Sequence, residues 1–309
     1  MMKRLFIIYI YFLLSLAGSA HPWKPSHYVI VDTDGGIDDI RTISMLLASP
    51  DVRLLAVTVS NGALPADKAF IKVKSLLNSF HHEGIPVGIN RLGSYRSPEF
   101  PAALNARWGI EKGIDPSSAV NFNDIISEII IAEKTKFSFI CLGSMSTALY
   151  ALRTIPEFGT RVKDFIWSTD GADDKTGFNY NIDTKSSVSM LKQEIPVKIV
   201  RKYLLNNSVF WDNELTEAVK AINTRYAKAA VSVSDFSESH RFALEANDEM
   251  TALFLHYPEL FICKTLGNVT DCIPSDPAGL RENTLRILKG ETVPRNQVIK
   301  EFPADPAFY

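Results

Sequence analysis

The segment Val29-Ile30-Val31-Asp32-Thr33-Asp34-Gly35-Gly36-Ile37-Asp38-Asp39 gathers four carboxylates at the end of an apolar run. The β-branched residues read as a buried strand, the two glycines as a tight turn, and Ile37 onward as the start of a helix. The carboxylates therefore belong at the C-terminal end of a strand, where open α/β sheets place ligands. Four such groups on one turn cannot all stay ionised uncompensated, because like charges raise one another's pKa. A divalent cation supplies the compensation. Hard oxygen donors select Ca²⁺ or Mg²⁺ over zinc, and Ca²⁺ accepts about 6–8 oxygens in flexible geometry. Helix capping and the helix dipole account for Asp38 and Asp39, but not for four aspartates together.

The elements that must hold this turn follow from periodicity. Short β-branched runs alternate with longer amphipathic stretches, which predicts one Rossmann-like α/β domain whose mostly parallel central sheet is flanked by helices. Strands are expected at 28–31, 52–59, 86–89, 137–142, 165–167 and 197–200, and helices at 38–48, 65–80, 124–134, 146–154 and 184–193. Two long helical patterns follow near 214–229 and 239–256, and the tail reads as a closing pair of strands around 284–288 and 297–301. Residues 90–116 lack periodicity and carry Tyr95, Phe100 and Trp108. A loop of that length in a compact domain is usually functional or disordered.

Met1 to Arg4 is a short basic start, Leu5 to Leu16 an apolar run, and Gly18-Ser19-Ala20 a small-residue cleavage site. That order predicts a secretory signal peptide over residues 1–20, a mature domain over 21–309, and a periplasmic or extracellular location. An uncleaved anchor is the other reading, but the run is short for a membrane span, and no stable insertion is expected after cleavage. The net charge is −2, and losing Lys3 and Arg4 makes the remainder more acidic. That balance excludes a nucleic-acid partner, which needs a clustered positive surface. Cys141 reads as a small core residue. Cys263 and Cys272 are spaced so that an exported protein is able to bridge them, and two free thiols fit the sequence equally well. The histidines form no Ser–His–Asp or Cys–His arrangement at a recognisable spacing.

An apolar strand followed by Asp32-Thr33-Asp34-Gly35 resembles the nucleophile motif of haloacid dehalogenase-type phosphatases, with Asp32 as nucleophile and Asp34 as acid–base. Asp170-Gly171-Ala172-Asp173-Asp174 would imitate that family's acidic metal motif. The added Asp38-Asp39 pair separates the two readings. Asp-x-Asp-x-Gly-x-Asp-Asp resembles the signature of the inosine–uridine-preferring nucleoside hydrolases. Three further blocks are similar to that family, in the same order: Cys141 to Thr147, Gly177-Phe178-Asn179-Tyr180-Asn181-Ile182-Asp183, and Asn247-Asp248 opening a helical stretch that ends at Pro258.

The resemblance implies a calcium-dependent N-ribohydrolase that releases free base and ribose. Asp34, Asp39 and Asp248 would ligate Ca²⁺ through carboxylates and Leu142 through its carbonyl. Asp34 would also be the general base. Asp38 and Asn179 would hold the ribose hydroxyls, and Asp32 would buttress the turn. The family also suggests homo-oligomers. Several positions depart from its pattern: Gly35 replaces a usual proline, Gly177 a glutamate that contacts the ribose 5′-hydroxyl, and Asn247 a histidine that helps protonate the leaving base. Asn61 follows the second strand in a shifted register, still within reach of the pocket. Without the histidine, purine-preferring members activate the base by aromatic stacking. Trp108 is the candidate for that role, and a hydrophobic plug holding the loop down is its equal alternative. A non-catalytic ribosyl-compound-binding protein is the remaining reading. It is opposed by Asp34, since binding alone requires no base.

Overall fold

The computed structural model describes residues 24–93, 100–169, 177–203, 210–232, 247–291 and 300–301. The expected signal peptide, Tyr95, the Asp170–Asp174 motif and His240 lie outside them. In chain order the first half contains β1 (His27–Thr33), α1 (Ile37–Ala48), β2 (Val52–Val59), α2 (Ala66–Ser79), β3 (Val87–Ile89), α3 (Pro101–Asn105), β4 (Val120–Asn121), α4 (Phe122–Ala132) and β5 (Phe137–Cys141). There follow α5 (Ser146–Thr154), α6 (Phe158–Arg161), β6 (Val162–Ser168), α7 (Phe178–Ile182), α8 (Thr184–Met190) and β7 (Val197–Val200). The last part holds α9 (Asn213–Lys220), α10 (Arg225–Ser232), α11 (Glu249–His256), β8 (Phe261–Leu266), β9 (Val269–Pro274), α12 (Pro277–Leu288) and β10 (Lys300–Glu301).

These strands form one sheet in the order β10-β8-β9-β7-β6-β5-β1-β2-β3-β4. Every neighbouring pair is parallel except β8–β9. The central strands are apolar on both faces because helices cover both, the usual condition of a parallel sheet. Val29 and Val31 of β1 join one core with α1, α2 and α11, while Ile30 joins the opposite core with α4 and α5. Chain order reverses about β1, which pairs β2 on one side and β5 on the other, so the carboxylate turn opens at a topological switch point.

Two sequence expectations are corrected. Residues 284–288 lie in α12, not in a strand. Asp276 accepts a hydrogen bond from the Gly279 amide and Pro277 occupies the first turn, a helix start that overrides the β-branched residues after it. The closing hairpin is instead β8–β9, which exposes Lys264, Thr265 and Leu266 and so lacks the buried run of the other strands. Its register sets Cys263 opposite Cys272, and these two are joined in a disulfide. The pattern at 214–229 also resolves into two helices, α9 and α10.

Behind the carboxylate turn, Arg41 of α1 and Glu249 of α11 form a fully buried ion pair at 3.2 Å. The Arg41 Nε also donates to the Ala230 carbonyl at 3.2 Å, its guanidinium lies 4.4 Å from the centre of the Trp211 ring, and the Trp211 indole donates to Glu249 Oε1 at 2.8 Å. Burial pushes the Glu249 carboxyl up to about 8 against the pull of Arg41. Breaking such a pair from one side leaves an uncompensated buried charge. Arg41→Met is therefore expected to cost about 3–5 kcal/mol in urea unfolding. A variant within 1 kcal/mol of the parent, on the order of a surface change, would show that α1 and α11 do not depend on the pair.

Candidate active site

Asp32, the last-but-one residue of β1, is fully buried. Thr58 Oγ1 donates to its Oδ1 at 2.6 Å and Ser60 Oγ to its Oδ2 at 2.9 Å. Burial raises its carboxyl to about 7, opposed by the hydroxyls of Thr58, Thr147 and Ser60. Both oxygens are thus committed to neighbouring elements, and neither faces a substrate. This arrangement ends the phosphatase reading, which needs Asp32 as a nucleophile. Thr58 and Ser60 were not singled out by the sequence, since hydroxyls in a strand look like ordinary β-formers.

The other aspartates face one another. Asp39 Oδ2 accepts from the Gly35 and Gly36 amides at 2.9 and 3.0 Å and from the Thr33 hydroxyl. Those donors fix its carboxylate, and its Oδ1 is buried without a hydrogen-bond partner. Asp34 Oδ2 and Asp248 Oδ1 are in the same condition. Carboxylate oxygens of Asp38, Asp39 and Asp248 lie within 4.8 Å of one another. Burial and Asp39 raise the Asp34 carboxyl well above the ordinary range. Burial, then Asp38 and Asp39, do the same to Asp248, and burial with Asp39 brings Asp38 to about 6. Buried acceptors without donors, clustered and mutually repelling, are what a hard divalent cation satisfies, so the donor set fits such an ion. The tight triad differs from the sequence-based ligand set in containing Asp38, with Asp34 beside it.

Close packing sets the position of Asp34. A Cβ on Gly62 would lie 2.0 Å from Asp34 Oδ2, and one on Gly143 would lie 2.9 Å from its Cβ. Both glycines leave room for this carboxylate between β2 and β5. A cavity of about 400 Å³ opens above, lined by Asp34, Asp38, Leu142, Asn179, Asn247 and Asp248. The Asn179 amide donates to the Leu142 carbonyl at 2.7 Å and to the Ser168 carbonyl at 2.9 Å, bridging the ends of β5 and β6. Asn247 hydrogen-bonds to Asp38, and its Oδ1 is buried without a partner.

Two expected site residues are not brought to this cavity. Asn61 Oδ1 accepts from the Ala66 amide at 2.9 Å and so starts α2. Trp108 is 2% exposed and belongs to the core. Its loop is fastened by the Lys72 ammonium, which donates to the carbonyls of Leu104 and Ala106 at 2.9 and 2.6 Å and pairs with Glu111 at 2.7 Å. At Gly109 a Cβ would meet the Ser75 carbonyl oxygen of α2 at 2.3 Å, so the chain lies directly on that helix. Among the described residues, the aromatic side chains that line the cavity are Phe100 and Phe178, packed edge to face with ring centres 5.1 Å apart. Lys202, also in the lining, carries no sequence motif and was missed.

The inosine-uridine preferring nucleoside hydrolase family profile matches residues 29–298. An uncharacterised protein of Schizosaccharomyces pombe is 26% identical over 184 residues, 55% of this chain and 59% of that protein, less than two thirds of its length. The pyrimidine-specific ribonucleoside hydrolase RihA of a Shewanella species is 24% identical over 225 residues, 68% of this chain and 70% of the relative. Among solved structures, a plant nucleoside hydrolase superposes with a TM-score of 0.71 at 17% identity, covering 86% of this chain and 99% of its own. A purine-preferring ribonucleoside hydrolase of Gardnerella vaginalis gives 0.67 at 14%, covering 85% and 98%.

The carboxyl shifts give a pH signature. Asp38 has its folded-state value raised from 3.8 to about 6, so its contribution to metal-free stability is present below 3.8 and lost as pH rises through about 6. Asp34 and Asp248 shift in the same direction and extend that loss to higher pH. A cation that neutralises the cluster removes the penalty. The rise in melting temperature on adding Ca²⁺ to EDTA-stripped protein is therefore expected to be larger at pH 8 than at pH 5, by calorimetry. An equal rise at both pH values contradicts the cluster as the binding site.

Proposed function

Since the chain belongs to the inosine-uridine preferring nucleoside hydrolase family, we propose that it is a calcium-dependent ribohydrolase with Asp34 as its general base. As a family member it is a hydrolase of N-glycosyl bonds in nucleosides. The observation that carries the finer reading is the set of unpartnered buried oxygens on Asp34, Asp39 and Asp248, with Asp34 and Asp248 lining one cavity and Asp39 clustered with Asp248 and Asp38.

Asp39, Asp248, Asp38 and Asp34, with the Leu142 carbonyl, are the oxygens that would hold the ion. A bound Ca²⁺ supplies charge to the ribose hydroxyls and to a water, lowering the proton affinity of the conjugate hydroxide. The chain's own residues do the rest. Asp34 Oδ2 has no donor of its own, and its environment raises its basicity, the property a general base needs near neutral pH. It takes one proton from the attacking water. The C1′–N bond breaks with its electron pair going to the base, a C1′–O bond forms, and the freed nitrogen takes one proton from solvent, balancing the one Asp34 removed from water. The developing oxocarbenium charge lies among carboxylates that stabilise it. Asp38 and Asn179 hold the ribose hydroxyls, Asn179 with its amide already committed to two carbonyls and its own oxygen left to accept. Holding the sugar orients C1′ toward the water.

On the base side, Asn247 offers no proton of imidazole type, and Trp108 is in the core. The stacking surface in this reading is Phe100 with Phe178, and a π-face accepts any planar base. The purine preference expected from Trp108 thereby loses its support, and the named relatives include a pyrimidine-specific and a purine-preferring enzyme. The Cys263–Cys272 bridge supports export, since disulfides persist in oxidising compartments.

A reducing-sugar assay over purine and pyrimidine ribonucleosides tests the reading. Release of ribose that EDTA abolishes and Ca²⁺ restores is the expected result, and no release from any ribonucleoside with Ca²⁺ bound would sink it. Asp34→Asn is expected to lower kcat by about 10²–10⁴-fold, the usual worth of general-base catalysis. Gly62→Ala, which forces Asp34 to move, is expected to cost about 100-fold; undiminished kcat in both variants would remove Asp34 from the mechanism.

A further inference from the structure

One hydroxyl in the cavity wall is unspent. Thr169 directly follows β6, is 7% exposed and lines the cavity. Its amide donates to the Val200 carbonyl of β7 at 3.4 Å, which ties its backbone to the next strand. Its Oγ1, however, is buried without a hydrogen-bond partner. The residue before it is fully engaged: the Ser168 carbonyl accepts from Asn179 at 2.9 Å, and the Ser168 hydroxyl bonds to the Asp248 carboxylate. Asp248 is in turn preceded by Asn247, whose Oδ1 is likewise buried and unpartnered. Thr169 and Asn247 are thus the chain neighbours of one hydrogen-bonded pair, and both line the same cavity.

A buried hydroxyl without a partner destabilises the fold. Valine has nearly the same shape and suits the end of a buried strand equally well, so packing gives no use for Oγ1. A ligand does. The amide oxygen of Asn247 and the carboxylates of Asp34 and Asp248 only accept, so a phosphate or carboxylate at this wall would meet acceptors and like charge. A neutral hydroxyl or N–H supplies the donor that these oxygens lack, and a threonine hydroxyl both gives and takes. In the sheet β6 is separated from β1 by β5, so with strands about 4.8 Å apart Thr169 lies roughly 10 Å along the sheet from the end of β1. We propose that Thr169 is a specificity-determining residue, its hydroxyl bonding a neutral hydroxyl or N–H group of the ribosyl substrate outside the diol. This rests on the preceding reading that the aspartate end grips the ribose diol.

The test uses the full Ca²⁺-loaded protein, with kcat/KM measured for ligands that release sugar and isothermal titration for those that do not. Uridine is compared with 5′-deoxyuridine, which lacks the sugar hydroxyl outside the diol. It is also compared with pyrimidin-2-one riboside, which lacks the base N–H and the oxygen beside it. Thr169→Val is expected to handle uridine about 5–100-fold less well than the parent, the worth of a hydrogen bond whose loss leaves a group unpaired. Thr169→Ser is expected to restore most of that loss. One analogue is expected to show the same loss with the parent and no further loss with Thr169→Val, which identifies the sugar or the base as the source of the bonded group. The melting temperature of Thr169→Val is expected at or above the parent's, and a fall would mean that the hydroxyl serves the fold and overturns the assignment. Parent protein that treats both analogues like uridine overturns it as well, a comparison that needs no variant. So does a Thr169→Val variant that loses the same factor with all three ligands, a change of shape and not of a bond. Thr169-dependent binding without sugar release from any ligand would retain Thr169 and overturn the hydrolase reading. Ribose release from uridine that is equal in parent and Thr169→Val would do the reverse.

Discussion

The repulsion among Asp34, Asp38, Asp39 and Asp248 is the constraint around which the rest of this structure is arranged. Carboxylates packed this closely in a buried site either take up protons or are compensated by positive charge. The surroundings compensate them only in part. Gly35 and Gly36 amides and the Thr33 hydroxyl satisfy one oxygen of Asp39, while its second oxygen and one each on Asp34 and Asp248 are left without donors. The site is thus built to be completed by a cation, and its rigidity comes from the donors that fix the oxygens pointing away from it.

Holding such a cluster requires support from behind. Asp32 does this by accepting hydrogen bonds from Thr58 of β2 and from Ser60 just past that strand, so a residue of the same type as its neighbours serves a structural role because its oxygens are held by the adjoining strand and turn. Arg41 and Glu249 do it between helices. Each follows a cavity aspartate closely in sequence, Arg41 after Asp38 and Asp39, Glu249 after Asp248, and their ion pair ties the two helices that carry those aspartates. The glycines at 62 and 143 complete the support by omission, since any side chain there would meet Asp34.

The substrate side of the cavity is built from elements with weaker constraints. Phe100 precedes one short helix and Phe178 begins another, and Lys202 comes from the chain just beyond a strand. Such segments lie outside the sheet that carries the core.

The sequence by itself determined the parallel sheet and the aspartate turn, because both rest on local pattern. Buried β-branched runs have no alternative but an interior strand, and four aspartates around two glycines at a strand end have no ordinary structural use. It also named Asn179, Asn247 and Asp248, through blocks whose order resembles a known family. Tertiary structure decided everything that depends on which way a side chain points. Trp108 and Asn61 carry the right chemistry for a pocket, yet Lys72 fastens the loop of the first against α2 and a helix start claims the second. The β8–β9 hairpin has no strand signature because its second half is exposed and breaks the buried run, and in α12 a start capped by Asp276 with Pro277 in the first turn outweighs β-branched residues downstream. Lys202 was illegible for a simpler reason: a lone lysine after a strand has no local signature, and only the juxtaposition of β7 with β6, β5 and β1 across the sheet brings it to the cavity the aspartates occupy.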